Sequence, residues 1–253
     1  MLKEIETAAR SAGELILNAS DPASFKKEGH YNYVTETDIR VQKLLYDKLS
    51  VICPEAVFYA EEKTNDPLTE AYTWVVDPID GTLNFMHHRD CSAISIALLK
   101  DRVPVLGLIY NPYRNEVFTA EKGKGAFLNG KAIHVSELPF ENAMVAMGTA
   151  PYEPALLPAT MKAASAFLAQ AGDLRRTGSA AVDLCDVACG RCELFFEFQL
   201  SPWDVAAGSL IVEEAGGRFV EFLEPRVTFD KKVAILATNM NCLENALRIL
   251  RGQ

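Results

Sequence analysis

The stretch WVVDPIDGTLNF, Trp74–Phe85, decides the fold of this chain. It opens with an apolar run rich in β-branched residues, which predicts a buried strand. Pro78 has no backbone N–H to donate to a sheet, so we expect the strand to stop close to that residue. Asp77 and Asp80 flank this point, and Gly81 permits backbone angles that other residues avoid. The stretch therefore predicts a buried strand that ends in an acidic turn.

The acidic turn contains the parts of a metal and phosphate site. Two ionised carboxylates held close together repel each other, and a divalent cation between them relieves that repulsion. The backbone N–H groups of Gly81 and Thr82 would then point at whatever the metal holds. A polar turn without any ligand is the alternative interpretation of Asp-x-x-Asp-Gly when it is considered alone.

Length and charge narrow the class of protein. The chain has 253 residues, enough for one large α/β unit with a sizeable core. We predict a single unit over residues 1–253 with two closely packed halves, roughly 1–140 and 141–253. The net charge of −9 argues against a surface that binds nucleic acid directly. Anionic substrates remain compatible with it, because bound cations reverse the sign of the charge locally.

Hydropathy and cysteine usage predict a cytoplasmic protein without a membrane partner. No stretch is long and apolar enough to span a bilayer, and the N-terminus lacks the apolar core of a signal peptide. The six cysteines are scattered, which is typical of buried thiols in a reducing compartment. Cys185, Cys189 and Cys192 have helical spacing, but no second pair or nearby histidine completes a zinc site.

Two further acids are predicted at the ends of secondary structure elements. Residues 56–60 indicate a strand that leads into Glu61, and the segment SPWD opens a predicted helix at Asp204. Taken alone, Asp204 is better explained as a helix cap. Ligands in layered α/β folds bind where such ends meet, so we expect both acids to join Asp77 and Asp80. A set of carboxylates without Cys or His favours Mg²⁺ or Mn²⁺ over zinc.

Other segments predict the elements around this site. Residues 21–34 are predicted as a polar loop because they show no apolar periodicity. The segment between residues 92 and 120 contains three strand-like runs separated by turns, which predicts an antiparallel meander. The small-residue turn Gly178–Ala181 opens a predicted helix, where it either binds an anion or caps the helix through Ser179.

Several stretches together resemble the inositol monophosphatase family, the lithium-sensitive, Mg²⁺-dependent phosphatases. WVVDPIDGTLNF resembles the first family signature, and WDVAAGSLIVEEAGG at residues 203–217 resembles the second. The acid pair Glu61-Glu62, the turn Gly178–Ala181 and the hairpin GKGAFLNG at residues 123–130 are also similar to family elements. The resemblance covers nearly the whole chain. It implies the layered αβαβα sandwich of the sugar phosphatases, an α/β fold.

The resemblance also implies which residues bind metal. Glu61, Asp77 and the carbonyl of Ile79 would hold a first Mg²⁺. Asp77, Asp80 and Asp204 would hold a second. Mn²⁺ is the expected substitute, and Li⁺ is the expected inhibitor.

The remaining implied roles concern water and substrate. Thr82 and Glu61 would orient the attacking water, and the N–H groups of Gly81 and Thr82 would bind phosphate. Glu197 and Ala180 would face the alcohol portion of the substrate. The implied catalytic set is Glu61, Thr82 and Asp77, with Lys27 on the loop over the site and Asp38 supporting Thr82 from behind.

The segment after the first signature favours one branch of the family. Asn84-Phe85 is similar to the inositol monophosphatase branch, whereas the 3′-phosphoadenosine branch tends to have Lys there. We therefore expect a phosphoric monoester hydrolase acting on a small polyol or sugar phosphate by two- or three-metal-assisted attack of water, with inositol 1-phosphate as the first candidate. Fructose-1,6-bisphosphatase, NADP phosphatase and 3′-phosphoadenosine-phosphate phosphatase are alternative activities. A non-enzymatic, protein-binding role in a transcription complex is an alternative of another class, and a homodimer is the expected assembly.

Overall fold

The computed structural model describes residues 1–19, 25–27, 33–69, 71–224 and 226–252. Within these ranges the chain forms five alternating layers. The two larger sheets are separated by one pair of helices and are covered on their outer faces by two further pairs. The fold is therefore the αβαβα sandwich that the resemblance implies.

Seven α-helices and fourteen strands are present in the described part of the chain. The helices are α1 (Leu2–Leu17), α2 (Glu36–Ile52), α3 (Thr82–Met86), α4 (Leu157–Gln170), α5 (Ala180–Ala188), α6 (Pro202–Glu214) and α7 (Leu243–Leu250). The strands are β1 (Phe25–Lys27), β2 (Tyr33–Thr35), β3 (Val57–Ala60), β4 (Thr73–Asp80), β5 (Ala93–Lys100), β6 (Val103–Asn111), β7 (Glu116–Glu121), β8 (Ala126–Leu128), β9 (Lys131–Ile133), β10 (Met144–Met147), β11 (Asp173–Arg175), β12 (Leu194–Leu200), β13 (Arg218–Glu221) and β14 (Val233–Thr238). Among the described residues, none of these helices has both the length and the apolar character needed to cross a membrane.

The order of the strands brings several strand ends to the same place. The seven-stranded sheet has the order β3-β4-β5-β6-β7-β8-β9, in which β3 and β4 are parallel and the later pairs are antiparallel. This confirms the predicted meander. The five-stranded sheet has the order β11-β10-β12-β14-β13, in which β11, β10 and β12 are parallel and β14 is antiparallel to both neighbours. Parallel strands end at one edge of a sheet, so each sheet presents a row of carboxyl ends.

Apolar side chains fill three interfaces between the layers. Helices α1 and α2 pack on the seven-stranded sheet, α5 and α6 fill the space between the sheets, and α4 and α7 cover the five-stranded sheet. Every residue of β4 is buried, as expected for a central strand covered on both faces. A Cβ at Gly107 on β6 would lie 2.7 Å from the carbonyl oxygen of Ala207, so α6 packs directly on the sheet backbone. This close packing fixes the end of α6 that carries Asp204.

The structure corrects the predicted loop at residues 21–34. Within this segment β1 and β2 pair as antiparallel strands, with Lys26 opposite Val34. Residues 20–24 and 28–32 lie outside the described part of the chain. A three-residue strand is too short to show a period of two, so the sequence pattern could not reveal the pairing.

The structure also corrects the expected end of the strand at Pro78. Strand β4 continues to Asp80, and the register shifts between Asp77, which pairs with Ser95, and Asp80, which pairs with Ala93. Two residues therefore stand opposite one, which defines a β-bulge, and a bulged proline needs no N–H for the ladder. Side chains three residues apart on a regular strand point to opposite faces, and the extra residue of the bulge brings the two aspartates to the same face.

Candidate metal and phosphate site

Three of the four predicted acids meet at one point in the structure. The ligand oxygens of Asp77, Asp80 and Asp204 all lie within 4.8 Å of one another. Asp77 and Asp80 come from the bulged end of β4, and Asp204 comes from the first turn of α6. They line a cavity of about 580 Å³ to which both halves of the chain contribute residues. One divalent cation could contact all three carboxylates at this spacing.

Asp204 caps its helix in addition to joining the acidic cluster. The N–H of Ser201 donates to Asp204 Oδ2 at 2.7 Å, so that Ser201 and Asp204 form a capping box, and Pro202 occupies the first turn of the helix. The sequence left a cap and a ligand as alternatives. The structure shows the cap, and the same contact holds the carboxylate in the cavity.

Glu61 joins the cluster from the neighbouring strand. Strands β3 and β4 are parallel, with Ala60 opposite Val76, so the residues that follow them share one edge of the sheet. Glu61 is half-buried and lines the same cavity. Its enclosure in the protein raises the pKa of Glu61 well above the ordinary value, and the charges of Asp204 and Glu62 raise it further.

The pKa values of Asp77, Asp80 and Asp204 are also raised. Burial is the largest cause that raises the pKa values of Asp77 and Asp204, and neighbouring carboxylates add to it. Burial also raises the pKa of Asp80 to about 6, against the lowering effect of hydrogen bonds from the Ser179 hydroxyl and two backbone N–H groups. Such a cluster retains protons unless a cation neutralises it. Its donors are hard oxygens, so the residues present fit Mg²⁺ or Mn²⁺.

The turn Gly178–Ala181 binds the carboxylate of Asp80. Ser179 Oγ donates to Asp80 Oδ2, and the N–H of Ala181 donates to the same oxygen at 2.8 Å. Ser179 also caps α5, because its Oγ accepts from the N–H of Val182 at 3.3 Å. Both alternatives from the sequence are therefore present, with the Asp80 carboxylate as the anion.

Gly81 and Thr82 form the start of α3 at the edge of the cavity. Gly81 has φ of 85°, a left-handed conformation that favours glycine. Thr82 Oγ1 lies 3.1 Å from the carbonyl oxygen of Ile79 and 3.3 Å from Asp38 Oδ1, and its hydroxyl donates toward both. Asp38 is fully buried and accepts from the N–H of Thr35 at 2.9 Å in the capping box of α2. Asp38 therefore contacts the Thr82 hydroxyl from the first turn of α2.

Glu197 reaches the cavity from β12 of the second sheet. The N–H of Ala150 donates to its Oε1 at 2.7 Å, and a Cβ at Gly148 would lie 1.8 Å from its Oε2. The carboxylate is therefore held against a backbone segment that leaves no room for a side chain. Burial raises the pKa of Glu197 to about 7, although hydrogen bonds from that segment lower it. Ala180, the first residue of α5, is buried and lines the same cavity.

One predicted residue cannot be placed, and several others were missed. Lys27 belongs to β1, and its side chain lies outside the described part of the structure. Several cavity residues were not singled out from the sequence, although Arg176 stands only two positions before the turn Gly178–Ala181. They include Gly148, Tyr152, Arg176, Asp183 and Lys232. Gly148, Arg176 and Lys232 adjoin strands of the five-stranded sheet, so their common location follows from the strand order, whereas Asp183 lies on α5 between the sheets.

Five alternating layers with an acidic cavity between the halves define a protein of the sugar-phosphatase class. The chain belongs to the inositol monophosphatase family, whose family model matches residues 1–252. It is 43% identical over 220 residues to inositol monophosphatase 2 of Solanum lycopersicum, and the match covers 83% of each chain.

Bacterial relatives match a larger share of the chain. Identity to the putative Nus factor SuhB of Neisseria meningitidis serogroup B is 36% over 248 residues, covering 96% of this chain and 95% of the relative. The crystal structure of extragenic suppressor protein suhB from Bartonella henselae superposes with a TM-score of 0.91 at 33% identity, covering 99% of this chain and 98% of that one. The relatives of the chain therefore include proteins named as inositol monophosphatases and a protein named as a putative Nus factor.

Proposed function

We propose that the chain is a Mg²⁺-dependent phosphomonoesterase that hydrolyses a small polyol or sugar phosphate, with inositol 1-phosphate as the first substrate to test. The observation that carries this proposal is the convergence of Asp77, Asp80 and Asp204 within 4.8 Å. Glu61 lines the same cavity. Four ionised carboxylates in a partly desolvated cavity repel one another unless cations bind between them.

The donor set supports two adjacent metal positions. Glu61, Asp77 and the carbonyl of Ile79 would hold one ion, and Asp77, Asp80 and Asp204 would hold the other, with Mn²⁺ as a substitute. When bound, such ions lower the pKa of a water molecule and stabilise the leaving oxygen of the phosphate ester. Asp77 belongs to both proposed ligand sets, so its carboxylate would contribute to both positions.

The protein's own groups position the reactants. Thr82 and Glu61 would orient the attacking water, and the Thr82 hydroxyl is itself oriented by Asp38 and the carbonyl of Ile79. The N–H groups of Gly81 and Thr82 would bind the phosphate oxygens, because a left-handed glycine at the start of a helix exposes them.

Residues in the second half of the chain would recognise the alcohol portion of the substrate. Glu197 would accept hydrogen bonds from substrate hydroxyls, and Ala180 would contact the carbon skeleton beside them. The backbone of residues 148–150 supports this role by holding the Glu197 carboxylate in place. Charge-assisted hydrogen bonds of this kind discriminate between substrates with and without hydroxyls.

Related activities follow from the same site. Hydrolysis of fructose 1,6-bisphosphate, NADP or 3′-phosphoadenosine phosphate would use the same metals and differ only in contacts with the alcohol.

A second candidate function is a protein-binding role in a transcription complex, which the name of the Neisseria relative supports. We also propose a cytoplasmic homodimer.

The decisive experiment is a phosphate-release assay in Mg²⁺ and in EDTA. Its substrates are inositol 1-phosphate, fructose 1,6-bisphosphate, NADP and 3′-phosphoadenosine phosphate. Release of phosphate that requires Mg²⁺ is the expected result. Absence of release from every substrate, at Mg²⁺ concentrations that stabilise the folded protein, would overturn the enzymatic proposal. Binding to purified transcription complexes would then be the function to measure.

A further inference from the structure

The backbone on both sides of Glu61 is held by two side-chain carboxamides. The N–H of Ala60 donates to Asn65 Oδ1 at 3.0 Å, and Asn65 Nδ2 donates to the carbonyl oxygen of Ala60 at 2.7 Å. The N–H of Glu62 donates to Gln42 Oε1 at 3.0 Å, and Gln42 Nε2 donates to the carbonyl oxygen of Glu62 at 3.0 Å. Each carboxamide therefore pairs with one residue through two hydrogen bonds, as an antiparallel strand would.

The backbone of Glu61 itself is paired as well. Its N–H donates to the carbonyl oxygen of Val76 at 3.3 Å, and its carbonyl oxygen accepts from the N–H of Lys63 at 2.9 Å. Every backbone N–H and carbonyl group of residues 61 and 62, and both groups of Ala60, therefore has a protein partner. The Glu61 carboxylate thus enters the cavity from a backbone whose course is fixed by these contacts.

Gln42 lies on the same helix as the residue that orients Thr82. Asp38 and Gln42 are four residues apart on α2, so their side chains share one face of the helix. Asp38 accepts from the Thr82 hydroxyl at 3.3 Å, whereas Gln42 holds the residue that follows Glu61. One turn of α2 therefore contacts both of the segments that would orient the attacking water, so a single helix fixes Thr82 relative to the backbone of Glu61.

We propose that Gln42 and Asn65 are positioning residues for Glu61, which they hold where its carboxylate meets a metal ion and the attacking water. This rests on the proposed phosphomonoesterase function. Both act through Glu61, because neither is among the described residues that line the cavity. A displacement of about 1 Å in a reacting group costs about 100-fold in rate, so the position of this backbone has a large effect on turnover.

The kinetic test removes each carboxamide and keeps the approximate size of the side chain. We expect Gln42→Met and Asn65→Leu each to lower kcat for inositol 1-phosphate by about tenfold or more, because Glu61 is less well positioned. KM should change by less than about twofold, since the N–H groups of Gly81 and Thr82 would still hold the phosphate. An increase in KM as large as the decrease in kcat would indicate a general loss of structure and would overturn the proposal.

Gln170→Met is the matched control. Gln170 is an exposed carboxamide on α4 that donates to the carbonyl oxygen of Ala166 within its own helix. Its replacement removes the same chemical group from a part of the chain that does not contact the segment around Glu61. The control should keep the wild-type kcat, and a decrease equal to that of Gln42→Met would overturn the proposal.

Hydrogen exchange of the metal-free protein tests the contacts without relying on activity. Gln42→Met should speed exchange of the Glu62 N–H by about tenfold or more and leave the Ala60 N–H unchanged. Asn65→Leu should have the opposite pattern. Unchanged exchange of both N–H groups in both variants would show that the carboxamides do not hold this backbone.

Mn²⁺ binding, followed by electron paramagnetic resonance of the free ion, separates this proposal from the proposed function. Glu61 belongs to only one of the two proposed ligand sets, so each variant should weaken one Mn²⁺ position by about tenfold or more and leave the other unchanged. If the wild type releases no phosphate from any substrate, the phosphomonoesterase proposal fails, and these changes in exchange and Mn²⁺ affinity would still support the positioning of Glu61. Unchanged Mn²⁺ affinity in both variants would refute it.

Discussion

The hydroxyl of Ser179 donates a hydrogen bond to the carboxylate of Asp80 across 99 residues of the chain. Ser179 belongs to the N-terminus of α5, and Asp80 belongs to the bulged end of β4. The N–H of Ala181 reinforces this contact at 2.8 Å. The geometry of the acidic cluster therefore depends on how the central helices pack against the seven-stranded sheet.

Asp80→Asn and Asp204→Asn should each reduce phosphate release by about 100-fold or more at saturating Mg²⁺, because each removes a charged metal ligand. Asparagine keeps an oxygen that can accept from Ser179 or Ser201, so the local fold should survive. Asp173→Asn, which changes an exposed acid paired with Arg175, is the control and should retain wild-type activity. Full activity in either site variant would contradict the assignment of the metal ligands.

Lithium should inhibit phosphate release at millimolar concentrations. A carboxylate-lined Mg²⁺ position accepts small hard cations, and Li⁺ bound there after turnover would hold back release of the product. The measurement is a titration of LiCl against initial rate, with NaCl at matched ionic strength as the control. Identical curves for the two salts would show that the site does not bind Li⁺ in this way.

Glu197→Gln should alter substrate preference more than the chemical step. Weakening one hydrogen bond to a substrate hydroxyl costs about 1–3 kcal/mol, so turnover of inositol 1-phosphate should fall more than turnover of an aryl phosphate without hydroxyls. Gly148→Ala should have a similar effect, because its Cβ would collide with the Glu197 carboxylate. Equal losses on both substrates would point to a metal-binding or structural role for Glu197.

The stability of the metal-free protein should fall as pH rises through the range in which Glu197 ionises. Burial raises the pKa of Glu197 from 4.5 to about 7, so the folded protein binds this proton more tightly than the unfolded chain does. The contribution to stability is complete below about pH 4.5 and is lost as pH rises to about 7. Glu197→Gln cannot ionise and should escape this loss, gaining at most about 3 kcal/mol over the wild type at pH 8.

Urea denaturation in EDTA at pH 4.5, 6 and 8 measures this difference. The exposed Glu141→Gln is the control for the loss of one negative charge. A gap between Glu197→Gln and the wild type that does not widen with pH would show that the carboxyl group is not buried as described.

The local sequence alone determined much of the site. The apolar run before Asp77, the strand before Glu61 and the helix signal at Asp204 are short-range patterns, and each was found where it was predicted. The meander between residues 92 and 120 follows from alternating strand and turn residues in the same way. Such features are set by backbone preferences within a few residues, so they can be read from a single chain.

Only the tertiary structure decided how these residues meet. The bulge that lets Asp77 and Asp80 share a face arises from pairing with β5, and proline alone suggested a strand end instead. The anion at the N-terminus of α5 is a carboxylate from the other half of the chain. Arg176 reaches the cavity because β11 lies beside β10 in the sheet. Each depends on contacts between segments far apart in the chain, and local propensity carries no information about such contacts.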